Sequence, residues 1–176
     1  MSKNIGGFRV AFTKANSTFN NYSTRFPDKT GFNPSTTTLP AGWQRTPGFR
    51  ALPEPIIWHR DVSIPLRDGV ILRADVFLPA SAGERPLPAL LPWSPYGKTG
   101  SGRQQTINFT YLGVGACDLS GLEKFEAPDP AEWCARGYAV VNVDARGCYD
   151  SEGDIFVYGT QEGDSFLYKP HQVTTH

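Results

Sequence analysis

The chain is short of several things, and each shortage excludes something. Its 176 residues hold one Met and three Cys, and neither charge is in excess, with 17 Lys and Arg against 17 Asp and Glu. A formal charge of zero argues against nucleic-acid binding through a bulk basic field and against a polybasic membrane anchor. No apolar run approaches the ~20 residues of a membrane span, and the N-terminus lacks the apolar core of a secretory signal. Cys117, Cys134 and Cys148 form no C-x-x-C pair. That speaks against a disulfide scaffold or a zinc site, and they read as reduced thiols of an intracellular protein. The histidines are His59, His171 and His176, with no H-E-x-x-H among them. No metal and no cofactor is expected.

Two tempting motifs also fail. Gly97-Lys98-Thr99 invites a phosphate-loop reading, but Pro92 stands where that loop needs its first glycine. Gly163-Asp164-Ser165 begins like the G-x-S-x-G elbow of a serine hydrolase, but Leu167 holds the second glycine position. Ser165 is therefore a coincidence, and Ser101 is a loop serine. His59 reads as a residue packed at a strand edge.

What the chain has is loop chemistry and aromatic surface. It carries 18 Gly and 15 Pro, and 22 residues are Phe, Trp or Tyr. Residues 1–55, rich in Asn, Ser, Thr, Gly and Pro, show no sustained period and read as an irregular lead-in. Their first 27 residues hold four bases and no acid. They read as a polar lead-in of a cytoplasmic protein, with an organelle-targeting segment as the weaker alternative.

The pattern changes at Ile56. Trp58–Pro65 and Val70–Leu78 flank Arg67-Asp68-Gly69, which predicts a hairpin. In the second run Val70, Leu72, Ala74, Val76 and Leu78 share one face. Ala89–Trp93 is a short apolar run, as in a strand buried on both faces, with Pro92 at its end. A long Gly-rich connection fills 95–128. Asp129-Pro130-Ala131-Glu132 reads as a helix start with a capping box, and Gly137 as its stop. Tyr138–Val143 is a second buried strand, closed by Asp144. Strand, helix, strand implies a parallel pair with a right-handed crossover.

The loop after the first buried strand opens Trp93-Ser94-Pro95-Tyr96-Gly97-Lys98. In α/β-hydrolases the loop after the third strand supplies an oxyanion-hole donor. From spacing alone Tyr96 is either such a donor, through its phenol, or a turn tyrosine packed over the sheet edge.

The strings HRDVSIPLRDGVILRADVFLP, LPALLPWSPYGK, WCARGYAVVNVDARGCYDSEGD and QEGD, in this order and spacing, resemble the N-terminal part of the CocE/NonD hydrolases. That family includes cocaine esterase, X-Pro dipeptidyl-peptidases and α-amino-acid ester hydrolases. The resemblance runs from about Ile56 to Asp164. It implies an α/β-hydrolase fold and a Ser-His-Asp triad cleaving esters or amides of small molecules or peptides without a cofactor. It makes Tyr96, in P-Y-x-K, the oxyanion-hole donor. Asp144, Arg146 and Gly147 match V-D-x-R-G and read as structural.

Residues 165–176 depart from the family's pattern. The family's nucleophile, triad acid and triad histidine find no counterpart, and neither His171 nor His176 lies in a matching context. The expectation is a fold truncated before the nucleophile strand, with a tail from read-through or a shifted frame. Ala89–Trp93 would then be an apolar sheet edge, prone to association, and the chain alone would be inactive. Two other readings remain. One is a non-catalytic module that pairs with a full-length hydrolase, and the other is a small α/β ligand-binding domain.

Overall fold

In the computed structural model the described residues are 2–11, 32–98 and 113–155. A small hairpin of β1 (Ser2–Ile5) and β2 (Phe8–Ala11) forms one sheet. The main sheet has five strands: β3 (Ser35–Leu39), β4 (Ile56–Pro65), β5 (Ile71–Pro79), β6 (Ala89–Leu90) and β7 (Ala139–Asp144). Their order is β3-β4-β5-β7-β6. Only β6 and β7 are parallel, joined by a crossover that contains helix α1 (Pro130–Cys134). The sheet is therefore mixed, because β5 meets β7 antiparallel.

The predicted hairpin is present. Leu66 N–H donates to the Val70 carbonyl at 2.8 Å across the Arg67–Gly69 loop, and Gly69 takes φ 86°. Glycine reaches that left-handed conformation without a Cβ penalty. Between His59 and Val62 the β4–β5 register shifts, and Asp61 sits in this bulge at φ 54°.

Three expectations need correction. Residues 1–55 are not wholly irregular, since they contribute β1, β2 and β3. The Ser-Thr-Thr-Thr-Leu strand β3 escaped notice because it is an edge strand whose middle is exposed, with only Leu39 buried. Without alternate buried positions there is no period of two to read. Because β3 covers it, β4 is an interior strand. His59 is thus not at an edge, and its Nδ1 lies 2.9 Å from Thr36 Oγ1. Finally, β6 spans two residues rather than five and is not buried on both faces. Ala89 and Leu91 are exposed, and among the described residues β7 is its single strand partner. Pro88 and Pro92, which lack N–H groups, bracket the pairing.

Both sheet faces carry apolar clusters. Phe77, Val140, Ile56, Leu52 and Leu122 pack with α1 on one side, and Leu72, Ala74, Val76 and Val143 form the other cluster. Each large side chain among them contributes roughly 1.5–3 kcal/mol by leaving water.

Helix α1 starts and stops as its sequence dictates. The Asp129 carboxylate accepts from Ala131 N–H at 2.9 Å, and Pro130 follows it. Gly137 N–H donates to the Cys134 carbonyl and Tyr138 N–H to the Trp133 carbonyl, with Gly137 at φ 83°. These are the two bonds of a Schellman stop. Glu132 does not complete a capping box, because its carboxylate is held by Arg50 and Arg136.

Asp129 also accepts from Ser120 N–H at 2.8 Å, fixing the loop before the helix. Asp129→Ala is therefore expected to cost about 2 kcal/mol, the upper end for a lost cap, read as a lower urea midpoint at unchanged slope.

Candidate active site

Two strands build a graded surface. The cross-strand pairs Phe77–Val140, Asp75–Asn142 and Arg73–Asp144 follow at two-residue steps and so share one face of β5 and β7. That face runs from apolar, through neutral polar, to ionic. Its ionic end is the carboxyl end of β7, which is parallel to β6. In open α/β sheets the crevice beyond the carboxyl ends of parallel strands is where ligands bind.

Lys98 occupies this end. Its ammonium lies 2.7 Å from Asp144 Oδ2, 2.7 Å from Asp150 Oδ2 and 3.1 Å from Asp61 Oδ1. Its backbone N–H donates to Asp144 Oδ1 at 2.6 Å. Lys98 is 2 % exposed and Asp144 is fully buried. Burial alone would lower the lysine's pKa, but the Asp144 and Asp150 carboxylates overcome this and hold it above the ordinary range. A phosphate-binding role is closed to this side chain, since its ammonium is already enclosed by carboxylates.

The motifs that were scattered in sequence meet here. Asp144 and Lys98 join V-D-x-R-G to P-Y-x-K. Arg146 pairs with Asp68 of the L-R-D-G turn, whose carboxyl this guanidinium holds below its usual range. Gly147, at φ 69°, lies so close to the following chain that a Cβ would stand 2.3 Å from Ile155 N. Ser151 Oγ donates to the Asp144 carbonyl at 2.6 Å and accepts from Arg73 N–H at 2.9 Å. The structural reading of Asp144, Arg146 and Gly147 is thus given named partners.

Tyr96 stands in the loop between β6 and Lys98. Its ring is half-buried and meets Phe125 edge-to-face, with centroids 4.8 Å apart at 76°. Gly97, at φ 88°, lies under the Tyr149 ring, whose nearest carbon would be 3.1 Å from a Cβ. Lys98 ties this turn to the end of β7, so Tyr96 is held where the parallel strands end. Ser101, Gln161–Asp164, Ser165, His171 and His176 lie outside the described residues.

Sequence reasoning missed a second buried polar group. Asp75, Asn142 and Lys124 are at most 1 % exposed. Lys124 Nζ donates to the Val143 carbonyl at 2.9 Å, and Asp75 Oδ1 accepts from Asp61 N–H at 3.1 Å. Asp75 Oδ2 and both side-chain polar atoms of Asn142 are buried without a hydrogen-bond partner among the described residues. Burial pushes Asp75 up to about 7 and pulls Lys124 down to about 8. The available signal was a carboxylate between Ala74 and Val76 in a strand buried on both faces.

Among the described residues, no group of three or more His, Cys, Asp or Glu could hold a metal ion, and no helix is long and apolar enough to cross a membrane. Cys117 is exposed, while Cys134 and Cys148 are buried, and none is in a disulfide. Burial raises the Cys134 thiol to about 12, which removes it as a nucleophile near neutral pH.

The family described as X-Pro dipeptidyl-peptidase (S15 family) matches residues 68–167, more than half of the chain. The cocaine esterase of Rhodococcus sp. (strain MB1 Bresler) is 31 % identical over 105 residues, which are 60 % of this chain and 15 % of that protein. Two solved structures of a CocE/NonD family hydrolase from Staphylococcus aureus superpose with a TM-score of 0.57 at 20 % and 22 % identity. Each superposition covers 76 % of this chain and 22 % of the other. The chain thus spans about a seventh of the curated relative's length.

Two outcomes are expected. Removing the buried ammonium leaves carboxylates uncompensated, so Lys98→Met should cost about 3–5 kcal/mol in chemical denaturation. The pH profile of stability follows from Asp75 and Lys124. Asp75 keeps its proton in the folded chain from its ordinary 3.8 up to about 7, so stability falls as pH rises through that window. Lys124 loses its proton near 8 when folded but near 10.5 when unfolded, so stability rises above pH 8, until the buried Cys134 thiol, raised from 9.0 to about 12, opposes that rise above pH 9. A minimum between pH 7 and 8 is expected, and Asp75→Asn should flatten its acid limb. A profile that Asp75→Asn leaves unchanged would refute the assignment.

Proposed function

The chain belongs to the X-Pro dipeptidyl-peptidase (S15) family of CocE/NonD-type hydrolases, and from that premise we propose that it carries the oxyanion-binding side of an acyl-transfer site. The reaction is hydrolysis of a small ester or amide, or of a peptide, by a serine nucleophile within a Ser-His-Asp triad. The serine attacks the carbonyl carbon, negative charge gathers on the carbonyl oxygen, and the Tyr96 phenol donates a hydrogen bond to it. Such a donor contributes about 3 kcal/mol to the transition state. The observation that carries this reading is the placement of Tyr96 at the carboxyl end of the β6–β7 pair, fixed by the Lys98–Asp144 contact.

A second reading, a non-catalytic module pairing with a full-length hydrolase, draws on the side of β6 that no strand pairs among the described residues and on Leu91, which is 45 % exposed. Co-purification with a longer hydrolase is the observation that would favour it.

The 176 residues contain no G-x-S-x-G elbow, so the chain alone should take no fluorophosphonate label and hydrolyse no ester above background. The role of Tyr96 is tested in a chimera with residues 68–167 replacing the matching stretch of the Rhodococcus cocaine esterase. There Tyr96→Phe should lower kcat by on the order of 10²–10³ with KM little changed. An unchanged kcat would remove Tyr96 from the oxyanion hole.

A further inference from the structure

Three non-glycine residues among those described have left-handed backbone: Asp61 (φ 54°), Glu126 (φ 59°) and Tyr149 (φ 51°). Two of them touch one short turn, Tyr96-Gly97-Lys98, and the third follows a residue that does. The Asp61 carboxylate meets the Lys98 ammonium. The Tyr149 ring lies on Gly97. Glu126 directly follows Phe125, whose ring edge packs on Tyr96. Left-handed backbone is unfavourable for residues with a Cβ and persists only where the surroundings impose it, and such strain gathers at functional sites.

The surroundings that impose it are visible. Lys124, beside Phe125, is pinned through its ammonium to the Val143 carbonyl near the end of β7. Asp150, beside Tyr149, is pinned to Lys98. Each aromatic ring therefore follows or precedes a charge anchored at the same strand end, and the two rings bear on adjacent residues of one turn. Tyr149 makes poor core filling, being 46 % exposed. Its ring is placed over Gly97, whose φ of 88° favours glycine and where a Cβ would stand a tight 3.1–3.3 Å from the ring carbons.

We propose that Phe125 and Tyr149 are positioning residues: they clamp the Tyr96-Gly97 turn and fix the direction of the Tyr96 phenol. Phe125 limits the tilt of the Tyr96 ring, because edge-to-face packing has a preferred geometry. Tyr149 limits the backbone swing at Gly97, the one glycine of the turn. The inference rests on the oxyanion role of Tyr96 and adds how that donor is held before substrate arrives.

The test uses the full chain labelled with 3-fluorotyrosine, the Tyr96 fluorine resonance being assigned by its loss in Tyr96→Phe. Phe125→Leu and Tyr149→Gly should each move the Tyr96 resonance toward its position in the denatured chain, and Phe125→Trp should restore it. Tyr149→Gly removes the ring while supplying the residue that left-handed backbone favours, so it separates loss of the clamp from a broken turn. Tyr138, packed on Trp133, reports the fold and should not move. A Tyr96 resonance that stays in place in both variants overturns the clamp, and so does one that moves only together with Tyr138. The two readings fail separately. An unchanged kcat for Tyr96→Phe in the chimera removes the oxyanion role without touching the clamp, and an insensitive resonance removes the clamp without touching that role.

Discussion

A lysine ammonium buried among three carboxylates is the constraint from which the rest of this structure follows. Taking one such charge out of water costs several kcal/mol unless partners surround it. Lys98 has those partners only if three distant pieces of chain converge: the β4 bulge with Asp61, the end of β7 with Asp144, and the next turn with Asp150. The bulge at Asp61, the tight return at Gly147 and the turn at Gly97 are the backbone adjustments that permit this convergence.

That convergence also explains why the motifs lie where they do. L-R-D-G, P-Y-x-K and V-D-x-R-G are far apart in the chain, yet they meet in two charge pairs at the same end of the sheet, Asp68 with Arg146 and Lys98 with Asp144. A motif built on a charged pair tolerates little change, because losing one partner strands the other. Tyr96, the proposed oxyanion donor, is two residues from Lys98 and inherits its position. The apolar end of the same face, around Phe77 and Val140, supplies burial, and the ionic end supplies order.

Much of the fold was legible in the sequence because it rests on local signals. Gly69 after Asp68 marks the hairpin, Asp129-Pro130 starts α1, Gly137 ends it, and the apolar stretch before Asp144 is β7. The edge strand β3 was not legible, since an exposed Thr-rich strand has no hydrophobic period. The length of β6 was misread because Leu90, Leu91 and Trp93 look like a buried strand, whereas the bracketing prolines leave two paired residues. At the site, the place of Tyr96 after a strand left two readings open, and the family resemblance is what proposed it as a donor. Lys98 was met only as a failed phosphate loop, and Asp75, Asn142 and Lys124 were passed over. Their meaning lies in partners 14 to 67 positions away in the chain.

The sequence by itself determined the β4–β5 hairpin, α1, β7 and their order, the family, and the tyrosine placed after the first parallel strand, because turns, caps and period-two patterns are read by near neighbours. Only the tertiary structure decided which charges are buried and with whom, that the second face of β5 is polar at one end, and that Phe125 and Tyr149 bear on the Tyr96 turn. Burial and pairing depend on contacts between segments remote in the chain, and no local pattern encodes the desolvation that makes those contacts obligatory.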